Sequence, residues 1–457
     1  NKKCEFHFLP DWYRGIEYPK EQERGYDFNE DLYVPGYFEV DIKKGESIVF
    51  SAGTSEISPR RLKQTFEAEV ADRTPRDSFY HCLKNSAHQY HNQQEGEHYI
   101  LAGYPWFKCR ARDMFIALPG LTLAIDEIDQ FEDVMKTAEK AIRNFINEEP
   151  VGYKIYEMEH PDVLLWAVWA LQQYAKETSR EQCRQKYGEL LKDIMEYIRQ
   201  RKHDNLFLHE NGLLYANGTE KAITWMNSTV NGHPVIPRTG YIVEFNALWY
   251  NALKIMEELS GEFGDNSLEY ENLANKVKSS FNERFWNEEK SCLYDVVDEN
   301  DDKIRPNQIW AVSLPFSILD IEKEKKIVNT VYKHLYATYG LRSLSFMDKE
   351  YKSKYIGKLF DRDCAYHMGT TWGFLIGGFI TAYCKVNNYS DLAIKKANHM
   401  CKVFEDTMND GCINGIAEIF DGDFACTGRG CYSQAWSVAE VLRAYSQDVL
   451  PYLNKFH

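Results

Sequence analysis

The sequence predicts an all-α fold, an (α/α)6 barrel preceded by a short β segment, and two observations lead to this prediction. From about Asp77 onward, apolar residues recur at spacings of three and four over long windows, which is typical of amphipathic helices. Short links between these helices alternate with long connections rich in glycine and aromatic residues, at 202–240, 287–307 and 337–368. In a ring of helix hairpins such connections gather at one end, where binding sites are commonly built.

About twelve helices can be drawn from the apolar periodicity. A plain helical solenoid is the alternative architecture, but the sequence lacks the repeat of fixed period that solenoids require. The predicted helices span 78–92, 112–127, 131–148, 160–177, 181–201, 241–260, 267–286, 308–319, 321–336, 369–387, 390–408 and 433–447.

Before the helices, the pattern is short and strand-like. Runs at 5–9, 37–42 and 47–50 are separated by glycine and proline, and a hairpin turn joins the last two. Three strands are too few to bury a core of their own. We therefore expect 1–60 to be the closing strands and linker of an N-terminal β-sandwich domain, and 61–457 to be the barrel. The missing start of that domain indicates an upstream piece.

Composition and charge exclude several classes of partner. The 457 residues are 44% hydrophobic and carry a net charge of −15 without a long basic cluster, which argues against nucleic acid. No apolar run approaches the roughly 18 residues of a membrane helix. The eleven cysteines are odd in number and lack Cys-x-x-Cys spacing, so they fit reduced thiols. We expect a cytoplasmic protein with no membrane partner.

Metal ions and cofactors are not expected either. His88 and His91 are near each other on a predicted helix, but such spacing is more often a surface feature than a metal site. Cys426 and Cys431 fit small buried hydrophobic residues better than zinc ligands. The sequence therefore predicts no metal and no cofactor.

The long connections carry the side chains that sugars need. Trp106, Trp225 and Trp372 stand at predicted loop-to-helix junctions, where aromatic faces could stack on a pyranose ring. Each tryptophan alone is equally compatible with ordinary core packing. Their joint occurrence, among carboxylates, amides and guanidinium groups suited to hydroxyl groups, favours a carbohydrate site.

Two acidic positions permit both a structural and a chemical interpretation. Arg112-Asp113 begins a predicted helix, where an acid beside the positive end of the dipole is a capping feature. Glu418 lies between glycines in a loop before the last helix. A carboxylate there is either a solvated loop acid or, in an aromatic site, the group that activates a water molecule.

A series of motifs is spread over nearly the whole chain. They are Trp12-Tyr-Arg14 with Glu30-Asp-Leu32, Ala102-Gly-Tyr-Pro-Trp-Phe107 with Arg112-Asp113 and Leu118-Pro-Gly120, Thr224-Trp-Met226, Pro237-Arg238, Val243-Glu244, Asn246-Ala-Leu-Trp-Tyr-Asn251, Arg305-Pro-Asn-Gln308, Tyr366-His367 with Trp372, Glu418-Ile-Phe-Asp-Gly422 and Gln434-Ala-Trp-Ser437. Together, and in this order, these motifs resemble the glucosidase domain of glycogen debranching enzymes, the amylo-α-1,6-glucosidases.

The resemblance implies inverting hydrolysis of a single α-1,6-linked glucose from glycogen or an α-glucan oligosaccharide, by an aspartate acid and a glutamate base. Glu418 falls on the base, and Asn227 falls on the acid, the position after Thr-Trp-Met. We expect the site to converge at one end of the barrel. The implied sugar-binding residues are Trp106, Arg112, Asp113, Asp162, Trp225, Arg238, Glu244, Asn307, Gln308, His367, Trp372, Gln434 and Trp436.

Asn227 is the main departure from the family pattern. An amide cannot donate a proton as a carboxylic acid does, and general acid catalysis typically contributes about 10² to 10⁴ in rate. We therefore expect Asn227 to limit hydrolysis. Glu220, Asp204 or Glu244 could stand in as the acid. Met368 stands where the family has a glutamine, and 109–111 also departs from the pattern.

Three functions remain open from the sequence. The first is an α-glucosidase with a weakened or replaced acid. The second is a carbohydrate-binding or regulatory protein that has kept the pocket and lost turnover, which Asn227 and Met368 favour. The third is unrelated helical-barrel chemistry, such as a lyase or epimerase that uses His367 and Tyr366 as acid and base.

Overall fold

The structure, a computed structural model, describes residues 4–152, 154–261, 267–298, 301–424 and 426–453. The expected β segment and the expected connection at 287–307 are therefore described only in part.

The chain begins with a long antiparallel hairpin. Strand β1 (Glu5–Glu17) pairs with β2 (Asn29–Glu39), and helix α1 (Pro19–Arg24) lies between them. The strands expected at 5–9 and 37–42 overlap this hairpin. The strand expected at 47–50 is wrong, because this segment pairs with no strand of the described chain. Phe50 instead packs its ring edge against Phe38 at a centroid distance of 5.4 Å.

Fifteen further helices follow in the described chain, and all twelve predicted helices have a counterpart among them. They are α2 (Leu62–Asp72), α3 (Phe79–His88), α4 (Ala111–Leu121), α5 (Ile128–Ile146), α6 (Val163–Glu177), α7 (Arg180–Arg199), α8 (Val243–Gly261), α9 (Ser267–Arg284), α10 (Trp310–Ser313), α11 (Ile321–His334), α12 (Leu359–Ala365), α13 (Leu375–Val386), α14 (Asp391–Lys402), α15 (Ala435–Ala444) and α16 (Leu450–Leu453).

Several predicted helices are shorter than the periodicity indicated, and two of them have an evident local cause. The helix expected at 308–319 is a 3-10 turn (Pro306–Ile309) followed by α10, because Leu314 precedes a proline and takes an extended conformation. The helix expected at 369–387 begins only at Leu375, since the residues before it enter a short strand.

Short strands connect the helices and pair mostly within small antiparallel sheets. They are β3 (His91–Gln94), β4 (Glu97–Ile100), β5 (Gly103–Tyr104), β6 (Cys109–Arg110), β7 (Ile155–Tyr156), β8 (Leu206–Leu208), β9 (Leu214–Ala216), β10 (Thr229–Val230), β11 (His233–Pro234), β12 (Gly240–Ile242), β13 (Trp286–Asn287), β14 (Cys292–Leu293), β15 (Val296–Val297), β16 (Leu341–Arg342), β17 (Thr371–Trp372), β18 (Ile419–Phe420), β19 (Gly428–Arg429) and β20 (Ser433–Gln434).

One set of alternate helices forms the core. Helices α4 and α15 are buried on all sides, and α6 and α13 are nearly so, as expected for helices with apolar residues all round. In chain order α4 contacts α6, α6 contacts α8, α8 contacts α10, α10 contacts α13 and α13 contacts α15. Helix α15 in turn contacts α4, and the intervening helices, such as α5 and α7, expose one face.

The contact between α4 and α15 is especially close. Gly120 lies so near the backbone of Ala439 that an added Cβ atom would overlap its carbonyl. The two helices also meet at their starts. Gln434, just before α15, donates a hydrogen bond to Asp113 at the start of α4. The starts of the inner helices therefore bring the predicted site residues together.

A candidate active site at the starts of the inner helices

A cavity of about 310 Å³ lies where the inner helices begin. Its volume is at the small end of the range for ligand pockets, which suits a single sugar unit. Its lining consists mainly of charged, amide and aromatic side chains. The lining residues are Phe107, Arg110, Arg112, Asp113, Glu157, Trp225, Asn227, Ser228, Thr229, Asp363, Tyr366, Trp372, Glu418 and Trp436.

Tryptophan rings form one wall of the cavity. The rings of Trp225 and Trp372 meet edge to face at a centroid distance of 4.9 Å, and Trp436 lies 6.0 Å from Trp372. His367 stacks on Trp372 at 4.9 Å. Aromatic faces of this kind can pack against the apolar face of a pyranose ring.

A buried polar network behind the cavity fixes Trp225. The indole Nε1 of Trp225 donates to Oδ1 of Asn307 at 2.7 Å, and Nδ2 of Asn307 donates to Oδ1 of Asp295 at 2.8 Å. Arg238 pairs with Asp295 at 3.0 Å and with both oxygens of Glu244. Because each buried charge has a partner, the network holds the indole without leaving an isolated charge.

Arg112 organises another part of the cavity wall. Its guanidinium donates to both oxygens of Asp162, at 2.7 and 2.8 Å, in a bidentate pair, and also to the backbone carbonyl of Ile223 at 3.1 Å. Trp166 donates its indole N–H to the same aspartate at 3.2 Å. The bond to Ile223 ties this wall to the segment that leads to Asn227.

Asp113 is a buried carboxyl group that accepts a hydrogen bond from an uncharged side chain. Gln434 donates its Nε2 to Oδ1 of Asp113 at 3.2 Å. Burial raises the pKa of Asp113 to about 7, although the positive charges of Arg110 and Arg112 oppose this rise. The proximity of Glu418 also contributes to the rise. At neutral pH this group is therefore present in both protonated and ionised forms.

Glu418 is 3% exposed and is held by two donors. The hydroxyl of Tyr366 donates to its Oε1 at 2.5 Å, and the backbone N–H of Cys431 donates to its Oε2 at 3.1 Å. Burial, followed by the negative charge of Glu418, raises the pKa of Tyr366 well above its usual value, so the phenol keeps its proton. Gly430 has a φ of +61°, and an added Cβ atom there would overlap Oε2. The carboxylate is therefore held in one orientation.

The backbone fixes Asn227 on the same cavity. Its N–H donates to Nε2 of His367 at 3.1 Å. Burial, followed by the charges of Arg305 and Arg112, lowers the pKa of His367 well below its usual value. The imidazole is therefore neutral, and because Nε2 accepts, its proton is on Nδ1. The amide side chain of Asn227 has no hydrogen-bond partner within the described chain.

The structure divides the predicted site residues into two sets. Those that line the cavity are Arg112, Asp113, Trp225, Asn227, Trp372, Glu418 and Trp436. Those that lie buried behind it are Asp162, Arg238, Glu244, Asn307, Gln308, His367 and Gln434.

Trp106 lies outside both sets. It is 48% exposed and borders a neighbouring groove that shares Phe107, Arg110 and Glu157 with the cavity. Its ring packs 5.8 Å from that of Tyr26.

The stand-in acids considered from the sequence do not border the cavity. Glu220 and Asp204 are exposed, and Glu244 is buried in its ion pair with Arg238. Sequence reasoning missed two other carboxyl groups that do line it, Glu157 and Asp363. The position of Asp363, three residues before Tyr366, is the one signal that could have indicated it, since residues so spaced share a helix face.

The part of the chain that the structure describes has neither a cluster of metal ligands nor a membrane-spanning helix. In this part of the chain no three histidine, cysteine or carboxylate side chains are grouped as metal ligands. His88 instead pairs with Glu127 at 2.8 Å, and His91 lies partly buried at the start of strand β3 and not on the predicted helix. Likewise, none of the described helices is long and apolar enough to cross a membrane.

Comparison with known families identifies the helical fold and its carboxylate-lined cavity as a glycoside hydrolase domain. The chain belongs to the amylo-alpha-1,6-glucosidase family, whose profile matches residues 81–443. Residues 1–49 match the N-terminal region of glycogen debranching enzymes. The resemblance found from the motifs is thereby confirmed. No curated protein sequence matches the chain.

Several solved structures of similar fold carry the names of glycosidases. A GH63 mannosylglycerate hydrolase from Thermus thermophilus has a TM-score of 0.54 and 12% identity, over 79% of this chain and 99% of that chain. Another glycosidase has a TM-score of 0.54 and 11% identity, over 80% and 96%. A sialidase has a TM-score of 0.57 and 14% identity, over 82% of this chain and 33% of that chain. These likenesses establish the fold.

Proposed function

We propose that this chain hydrolyses an α-1,6-linked glucose from the end of an α-glucan or oligosaccharide, with inversion at the anomeric carbon. One observation carries the proposal. Glu418, fixed by Tyr366 and by the N–H of Cys431, borders the same cavity as position 227, which is the acid position of the family. The family supports glucose in an α-1,6 linkage as the substrate.

In the proposed reaction, Glu418 acts as the general base. It accepts a proton from a water molecule as the water oxygen attacks the anomeric carbon, and the bond to the glycosidic oxygen breaks. The leaving oxygen needs a proton at the same time. The wall formed by Trp225, Trp372 and Trp436 packs against the sugar ring, and Arg112 and Asp113 offer polar contacts to its hydroxyl groups.

The same proposal extends to the architecture. The cyclic order of contacts from α4 round to α15 and back supports a closed (α/α)6 barrel beginning near residue 61. The hairpin of β1 and β2 supports a preceding β domain whose last part is 1–60. The eleven cysteines are all free thiols, which supports a reducing compartment such as the cytoplasm.

Leaving-group chemistry tests the proposed hydrolysis. α-Glucosyl fluoride needs little protonation to depart, so we expect wild-type protein to turn it over readily with Glu418 as base. Isomaltose-type α-1,6 glucosides should react more slowly, because position 227 is an amide. Glu418→Gln removes the base and should lower turnover of both substrates by about 10² to 10⁴. Retained fluoride turnover in that variant would exclude Glu418 as the base.

A binding or regulatory protein is the second candidate, and the amide at Asn227 favours it. Calorimetric titration with glucose, isomaltose and short α-glucans separates the two functions. Saturable binding without turnover of either glucoside or fluoride would establish the binding function. Turnover of the fluoride would establish the enzyme.

A further inference from the structure

We propose that Asp363 is a further catalytic residue of this site, which donates to the leaving glycosidic oxygen the proton that the amide of Asn227 cannot supply. This inference rests on the proposed hydrolysis. It is based on two observations. Asp363 lies beside the residues that contact Glu418 and Asn227, and its carboxyl group has no hydrogen-bond or ion-pair partner within the described chain.

Asp363 shares a helix face with both of these groups. It lies in α12, and the helical conformation continues through Tyr366, so Tyr366 and His367 follow it at spacings of three and four. The hydroxyl of Tyr366 donates to Glu418, and Nε2 of His367 accepts the N–H of Asn227. The helix turn that carries Asp363 therefore contacts both the base and position 227.

Helix packing also places Asp363 beside the segment that follows Asn227. Helix α12 packs against β10, which begins two residues after Asn227. Asp363, Asn227 and both residues between Asn227 and Val230 line the cavity. A carboxyl group at Asp363 thus borders the part of the cavity where the family carries its acid.

Among the carboxyl groups that could act as the acid, Asp363 also has the fewest hydrogen-bond and ion-pair partners. Besides the base, three carboxyl groups line the cavity. Asp113 accepts a hydrogen bond from Gln434 at 3.2 Å, and Glu157 pairs with Arg110 at 3.3 Å. The side chain of Asp363 has no hydrogen bond or ion pair within the described chain. Its proton is therefore free to move to a bound substrate.

The surroundings of Asp363 favour its protonated form. Burial raises the pKa of this carboxyl group, and the neighbouring charge of Arg362 opposes the rise. A general acid must carry its proton before the reaction begins, and a raised pKa shifts an aspartate toward this form.

The step balances as follows. The Asp363 carboxyl transfers its proton to the glycosidic oxygen, and the bond from that oxygen to the anomeric carbon breaks with both electrons leaving on oxygen. Water oxygen bonds to the anomeric carbon while Glu418 accepts the water proton. The products are an alcohol and a glucose of inverted configuration. Proton exchange with solvent returns Glu418 to its ionised form and Asp363 to its protonated form.

Asp363→Asn tests this assignment with the two classes of leaving group. We expect kcat/KM for isomaltose to fall by about 10² to 10⁴, the typical contribution of a general acid, with turnover of α-glucosyl fluoride within a few-fold of wild type. The alkaline limb of the wild-type pH profile for isomaltose should disappear. Asp363→Glu, which keeps a carboxylic acid, should retain part of the isomaltose activity.

Asp361→Asn is the matched control. It makes the same chemical change on the same helix, but Asp361 is exposed and accepts a hydrogen bond from the backbone N–H of Lys358. Because the amide oxygen of asparagine can accept the same bond, the change leaves α12 and the cavity in place, and both activities should stay within about two-fold of wild type.

Three results would overturn the assignment. The first is an Asp363→Asn protein that hydrolyses isomaltose like wild type while the wild type turns over both substrates. The second is an equal loss of both activities in Asp363→Asn. The third is an Asp361→Asn protein with the same substrate pattern as Asp363→Asn. A wild-type protein inactive on both substrates would instead overturn the proposed hydrolysis itself.

Discussion

Restoring a carboxyl group at position 227 should raise hydrolysis of natural glucosides. Asn227→Asp replaces the amide by a carboxyl group of nearly the same size, and that amide has no hydrogen-bond partner within the described chain. The new carboxyl group would share the cavity with Glu418, whose negative charge would raise the pKa of the introduced group and favour its protonated form. The introduced carboxyl group would therefore be available as an acid near neutral pH.

The size of the gain follows from the worth of a general acid. A factor of about 10² to 10⁴ corresponds to about 3 to 5 kcal/mol of transition-state stabilisation. Asp363 already supplies the leaving-group proton in the wild-type protein, so the gain there should be smaller. In the Asp363→Asn background, the carboxyl group introduced at position 227 is the only acid left at positions 227 and 363. The full gain of about 10² to 10⁴ in kcat/KM should therefore appear there.

The assay is kcat/KM for isomaltose in four proteins: wild type, Asn227→Asp, Asp363→Asn and the double variant. α-Glucosyl fluoride turnover serves as the internal reference, because it depends on the base and hardly on the acid. If Asn227→Asp gains nothing in the Asp363→Asn background while fluoride turnover persists, position 227 is not where the leaving oxygen lies, and the reasoning is refuted.

Two further predictions concern groups that line the cavity. Tyr366→Phe removes a hydrogen bond to the charged form of Glu418, so the acidic limb of kcat/KM for α-glucosyl fluoride should move to higher pH; an unmoved limb would contradict the contact. In the folded protein Asp113 keeps its proton up to about pH 7. In the unfolded chain its pKa returns to the ordinary value of 3.8, so it loses the proton at lower pH. The unfolding free energy of wild type should therefore fall relative to Asp113→Asn between about pH 4 and 7, by up to about 4 kcal/mol, and parallel denaturant titrations at these pH values would check this.

Local pattern was enough to predict most helices, because long apolar periodicities report burial directly. The features that apolar periodicity did not predict depend on single residues or on how strands pair. Leu314, which precedes a proline, ends α10 early, and the strand-like run at 47–50 has no partner strand within the described chain. Helix α12 was missed because seven residues are too few to show a helical period.

The site was predictable as a set of motifs but not as a geometry. The motifs identified Glu418 and Asn227, which both line the cavity. Periodicity and motif spacing do not distinguish a side chain that faces the cavity from one that supports it, so Glu244 and Asn307 were grouped with the sugar contacts although they lie behind Trp225. Asp363 lines the cavity because of the way α12 packs against the rest of the fold, and a local sequence pattern does not predict such packing.

The stereochemistry of the first product tests the central claim most directly. Time-resolved proton NMR of α-glucosyl fluoride hydrolysis, recorded before mutarotation proceeds, identifies the anomer released by the enzyme. Because Glu418 is proposed to deprotonate a water molecule that attacks from the opposite face, the account predicts β-glucose as the initial product. Initial release of α-glucose would mean a covalent intermediate and retention, and would contradict the role assigned to Glu418.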